Sequence, residues 1–151
     1  MILLKDYESL DDVLIHIKLQ VLDSLNYAGN YLPAFSNPED LFYFLKDRVK
    51  YIDDPSSIEL LMSMETMMSG SRTGIPGGGD CDDFTITGLT SLLTSNFVDN
   101  QIVLTGMNKN NPSHIYIRTK FQNNWYIFDL TNPNFNQERK YKFFQYLTFK
   151  L

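Results

Sequence analysis

Residues 70–79 read GSRTGIPGGG, five glycines and one proline in ten positions. Glycine leaves φ free and proline fixes it, so neither a helix nor a strand is expected through this stretch. The loop divides the chain by pattern. Before it, apolar residues recur at helical spacing. After it comes one more helical segment, and then apolar residues alternate as in strands. Helices gathered first and strands afterwards predict an α+β fold rather than repeated βαβ units.

The first helix signal opens at Ser9, which fits a capping box with Asp12 in place of Glu. Val13, Leu14, Ile17, Val21, Leu22 and Leu25 follow at helical spacing, with Gly29 as a stop. Asn37-Pro38-Glu39-Asp40 is a second start: a cap, a proline in the first turn, and acids suited to the helix dipole. Leu41, Phe42, Phe44, Leu45 and Val49 supply its apolar stripe. Asp53-Asp54-Pro55-Ser56 breaks this helix and opens a third, from about Ser57 to Ser69. There Met62, Met64, Met67 and Met68 read as adaptable core filler. The fourth helix runs from Cys81 to about Asn96, burying Phe84, Ile86, Leu89, Leu92 and Leu93. Four threonines and Gly88 weaken its propensity, so packing must hold it. Strands are expected at Gln101–Gly106, Ser113–Lys120 and Asn124–Leu130, with a turn at Gln122-Asn123 and a break at Asn132-Pro133-Asn134. Tyr141–Lys150 reads as a further, edge strand.

A length of 151 residues suits one domain. It is expected to hold a helical part at about 1–70, a core at about 71–133 and an edge segment at 134–151. The net charge of −5 disfavours nucleic-acid binding, which needs a basic footprint. No run approaches the ~20 apolar residues of a membrane span, and MILLKDYESLDD lacks the flanks of a secretory signal. One cysteine excludes an internal disulfide, and with only two histidines a zinc site is not expected. A free thiol suits a reducing, cytoplasmic setting.

That cysteine, Cys81, sits just after the glycine-rich loop and at a helix start. A helix N-terminus favours the thiolate, and its free N–H groups can hold an oxyanion. Asp80, Asp82 and Asp83 crowd the thiol and oppose ionisation. A cationic partner is therefore needed, and histidine is the natural one. His114 begins one expected strand and Asp129 ends the next. A two-residue turn at Gln122-Asn123 makes paired residue numbers sum to 245, which puts Asp129 opposite Tyr116 and diagonal to His114. Such diagonal neighbours have Cα atoms about 7–8 Å apart, within reach of a hydrogen bond. A three-residue loop would turn Asp129 to the wrong face. The other histidine, His16, reads as structural or exposed. A calcium site at Asp80, Asp82 and Asp83 lacks the EF-hand spacing.

Gly77–Phe84 (GGGDCDDF), His114-Ile-Tyr-Ile and Trp125-Tyr-Ile-Phe-Asp129-Leu-Thr131 together resemble the transglutaminase-like cysteine peptidase superfamily. The gaps, 33 residues from Cys to His and 15 from His to Asp, are similar to that family's. VKYIDDP (Val49 to Pro55) resembles the lead-in of small phage-encoded members. The resemblance spans about Val49 to Pro133. It implies a papain-like fold, with a nucleophile-bearing helix packed on an antiparallel sheet. By the same matching Cys81 is the nucleophile, His114 the base and Asp129 its orienter, with no cofactor or metal. Arg118 departs from the family, which often has an acid four positions after the histidine; Thr85 departs too, where Ala or Leu is usual.

The expected function is cysteine-dependent acyl transfer from a peptide or side-chain amide through a thioester, as a peptidase, deamidase or transglutaminase. The partner is then a protein or peptide substrate. The alternative is an inactive phage structural or assembly protein that keeps the fold and is virion-associated. Gln20, Asn26 and Asn30 are candidates by residue type for a second oxyanion donor. Thr73, Gly74 and the glycines to Gly79 are expected to wall the cleft. Trp125 either packs beside the site or, the stronger expectation, lies in the core.

Overall fold

In the computed structural model, which describes residues 2–5, 10–51, 59–69, 78–108 and 112–151, the helical half of the chain opens with a strand. This β1 (Ile2–Lys5) leads into α1 (Leu10–Ser24), where Ile17 and Val21 are fully buried. The helix ends earlier than Gly29, which falls in a short 3-10 turn at Ala28–Asn30. Ser9, the expected cap, lies outside the described residues. Next comes α2 (Pro38–Lys46), begun as its sequence predicts: the Asn37 side chain accepts the Asp40 N–H at 2.8 Å. Leu41, Phe42 and Leu45 are buried from it.

The third helix is shorter than expected. Residues Glu59–Met62 form a strand, β3, paired antiparallel with β1, and only Met64–Ser69 are helical, as α3. A short apolar run fits either state, and the unpaired backbone of β1 decides between them. Met64 and Met67 are fully buried, as core filler should be. The breaker at Asp53–Ser56 lies outside the described residues. A second correction concerns the glycine-rich stretch. Gly78–Gly79 form β4, pairing in parallel with β2 (Lys50–Tyr51). Backbone hydrogen bonds need no side chain, so even glycines can pair where a partner is offered. Residues 70–77 lie outside the described set.

Helix α4 (Cys81–Thr94) starts where its sequence predicts and is buried nearly all round. Its hydroxyls explain why this is tolerated. Thr85, Thr90, Ser91 and Thr94 each donate to the carbonyl four residues earlier, at 2.7–2.9 Å. Asn96, at φ 65°, takes the left-handed position just past the end.

Four antiparallel strands follow: β5 (Asn100–Gly106), β6 (His114–Phe121), β7 (Asn124–Phe128) and β8 (Phe143–Thr148), in the order β7-β6-β5-β8. Strand β8 is on the edge, as expected, while β7 stops short of Leu130. Pairs such as Ile117 with Phe128 and Phe121 with Asn124 keep the expected sum of 245. Gln122 and Asn123 have φ 51° and 66°, the positive values a type I′ hairpin turn requires. One sheet face presents Ile115, Ile117 and Phe128 to α4. Gly88 permits the close approach, because a Cβ there would lie 2.6 Å from Ile117 Cδ1. The core is continuous from the sheet through α4 to α1 and α2. Among the described residues, no helix is long and apolar enough to cross a membrane.

Candidate active site

Asp80 fixes the start of α4. Its carboxylate accepts the N–H of Asp82 at 3.1 Å and of Asp83 at 3.5 Å, while Asp83 Oδ2 accepts the Asp80 N–H at 3.0 Å. This reciprocal box ties two of the three clustered aspartates to the backbone. Asp83 is fully buried. Gly79 makes room for it, since a Cβ there would sit 2.4 Å from Asp83 Oδ2. Gly79→Ala should therefore lower stability by about 1–2 kcal/mol, the usual worth of a lost cap. An unchanged urea midpoint would show that Asp83 moves aside freely.

The box holds Cys81 at the first helical position. Its own N–H has no acceptor among the described residues, because Asp80 takes the two that follow. Beyond the last β6–β7 pair, Ile117 with Phe128, the Ile115 N–H is turned to the Cys81 sulfur.

His114 opens β6, and its Nε2 lies 2.7 Å from Asp129 Oδ2. The register delivers this contact, because Asp129 follows directly on β7 and falls diagonal to His114. Asp129 is buried and held from both sides. Its Oδ1 accepts the Thr131 N–H at 3.0 Å and the Thr131 hydroxyl at 2.6 Å; Asn132 Nδ2 donates to Oδ2 at 3.4 Å. Arg139 Nε in turn donates to Asn132 Oδ1 at 2.5 Å. Sequence alone assigns no such part to Asn132, expected only as a strand breaker, and none to Arg139. The signal present was Asp-Leu-Thr-Asn after a strand, the pattern of an Asx turn. The imidazole also stacks with Tyr116 and with Tyr141.

With Nε2 on Asp129, Nδ1 is the nitrogen left for a thiol. Cys81 and His114 line one cavity of about 310 Å³, together with Asp80, Asp82 and Ser113. None of Gln20, Asn26 and Asn30 lines it: Gln20 is buried in α1, and Asn26 and Asn30 are exposed. His16 is half-buried in α1, and the expected cleft-wall residues Thr73 and Gly74 lie outside the described set. Trp125 is neither core nor beside the thiol. It is 38% exposed on the far face of the sheet.

The aspartates oppose ionisation of the thiol, as expected, and burial opposes it more. Burial pushes its pKa well above the ordinary value, and Asp82 and then Asp80 push it further; the Ile115 N–H opposes them. These causes disfavour the thiolate, and Asp82 Oδ1 lies 4.0 Å from the sulfur. Removing that negative neighbour must lower the pKa and enlarge the thiolate fraction. Asp82→Asn should speed iodoacetamide labelling at pH 8 by about three- to tenfold, because the small thiolate fraction grows as the pKa falls. Labelling at the wild-type rate would remove Asp82 as a cause.

No family model matches the sequence, and no curated protein does. Among solved structures, a candidate cysteine protease from Cytophaga hutchinsonii aligns with 82% of this chain at a TM-score of 0.46 and 19% identity. The chain covers 43% of that protein, less than half its length.

Proposed function

We propose that this protein is a cysteine-dependent acyl-transfer enzyme of transglutaminase-like type, acting on a peptide or side-chain amide. The reading is carried by one observation: the buried 2.7 Å His114–Asp129 pair adjoins the cavity that holds the helix-start Cys81. As the sulfur attacks the amide carbon, His114 Nδ1 takes the thiol proton, so no preformed thiolate is needed. The Cys81 N–H faces the developing oxyanion. Collapse breaks the C–N bond, and the leaving amine takes the proton from His114. Water or a second amine then attacks the thioester and gives its proton to His114, which passes it to the departing sulfur as the C–S bond breaks. Asp129 keeps Nε2 as the protonated nitrogen throughout.

A non-enzymatic scaffold is the second reading. What favours it is a buried thiol with the Asp82 carboxylate 4.0 Å from its sulfur, surroundings that disfavour the thiolate. Acid-quenched intact-mass analysis separates the two. Incubation with capped glutamine and peptide amides at pH 6–9 should release amine or ammonia and leave a transient acyl adduct on Cys81. A chain that gives neither across that range is a scaffold.

A further inference from the structure

The sheet face turned away from α4 carries a second cavity, of about 190 Å³, around Arg118. Arg118 shares the face of His114 on β6, four residues on and about 13 Å along the strand. Its guanidinium carbon lies 3.9 Å from the Tyr146 ring centroid and 4.6 Å from that of Trp125. Its Nε donates to Gln101 Oε1 at 2.5 Å. The terminal nitrogens make no hydrogen bond or ion pair among the described residues. Glu138 lines the cavity without pairing with them. A planar fork immobilised by two rings and left unpaired is pre-organised for a carboxylate. Tyr116 lines the same cavity and stacks on His114, which makes the two sites continuous.

Charge supports the same occupant. Residues 114–151 hold six Lys and Arg against two Asp and Glu, whereas residues 1–113 hold seven against sixteen. The strand region is basic on an otherwise acidic chain.

We propose that the Arg118 cavity binds an Asp or Glu side chain of an extended peptide, about four residues from the amide presented to Cys81. The position of that amide rests on the acyl-transfer reading; the carboxylate site itself does not.

Trp125 is the chain's one tryptophan, so its fluorescence reports on this cavity directly. The experiment titrates the 151-residue Cys81→Ala protein with a capped, amidated peptide carrying one Gln and a Glu four residues away. The control peptide has Gln in place of that Glu. The Glu peptide should bind at least tenfold more tightly than the control, and Arg118→Gln should erase the difference. Arg118→Lys keeps the charge and loses the fork, and should also lose at least tenfold; it serves as the second variant if Arg118→Gln fails to fold by circular dichroism. Equal affinity for the two peptides, or wild-type binding by Arg118→Lys, overturns the proposal. Competition by inorganic phosphate at concentrations matching the peptide would make this a general anion site. Peptide-reversible dimerisation in sedimentation would make the occupant a second copy's acidic segment. Either result overturns the peptide assignment. Selective Glu binding by Cys81→Ala, with no amide turnover by the wild type, would leave this site standing and remove the acyl-transfer reading instead.

Discussion

His114→Ala should slow thioester formation by about a hundred- to ten-thousand-fold, the worth of a positioned general base. The effect is large because burial, Asp82 and Asp80 all disfavour a preformed thiolate. Attack then depends on a group that removes the proton as the bond forms. Asp129→Asn should fall in the same range for a different reason. Its amide would donate to Nε2, drive the imidazole proton to Nδ1, and leave no acceptor facing the thiol. Both variants should keep their folded circular-dichroism signal and their preference for the Glu peptide over its Gln control, since Arg118 lies about 13 Å away along β6. Single-turnover measurement of the acyl adduct by intact mass is the readout. Wild-type rates in His114→Ala would exclude the imidazole as base and leave Asp82 as the carboxylate nearest the sulfur.

Phe128→Ala should cost about 3–5 kcal/mol, a large part of the 5–15 kcal/mol that folded proteins generally possess. The ring is fully buried, and it packs edge-on against Phe42 at 5.4 Å and Phe135 at 6.4 Å. It also lies against the backbone of α4 at Gly88, where an added Cβ would be 3.4 Å from its Cε1. One side chain thus joins α2, α4, the sheet and the segment after β7, and no neighbour can collapse into the gap without moving an element. The midpoint of urea unfolding should drop with the slope unchanged. Amide turnover should fall too, because Asp129 is the next residue and inherits its position from β7. A loss below about 1 kcal/mol would mean that the core repacks around the gap.

Several features of the site were legible in residues close together in the chain. The start of α4 at Cys81 is legible from the glycine-rich loop before it and the apolar spacing after it, whereas the reciprocal Asp80–Asp83 box that fixes this start emerges only in the fold. Gln122-Asn123 tolerates positive φ at both positions, so the hairpin and its register followed too. That register carried Asp129 to His114 across fifteen residues, because alternation in a strand allows only two faces. The misreadings share the opposite character. Glu59–Met62 became a strand because β1, some sixty residues earlier, needed a partner. Gly78–Gly79 paired because β2 passed alongside. Trp125 went to the exposed face because the strand parity that aims Ile117 and Phe128 at α4 turns Trp125 away.

The sequence by itself determined where α4 begins, that β6 and β7 pair as a hairpin and in what register, and that this register carries Asp129 to His114. Caps, turns and period-two alternation are local physics, satisfied within a few residues or one hairpin. Only the tertiary structure decided the state of the thiol and the surroundings of Arg118. The thiol's protonation depends on how deeply α4 is buried and on where the N–H of Ile115 is aimed. The open fork of Arg118 depends on Tyr146 arriving from β8, on the far side of β5. Desolvation and cross-strand packing depend on distances between elements, which no local spacing in the chain encodes.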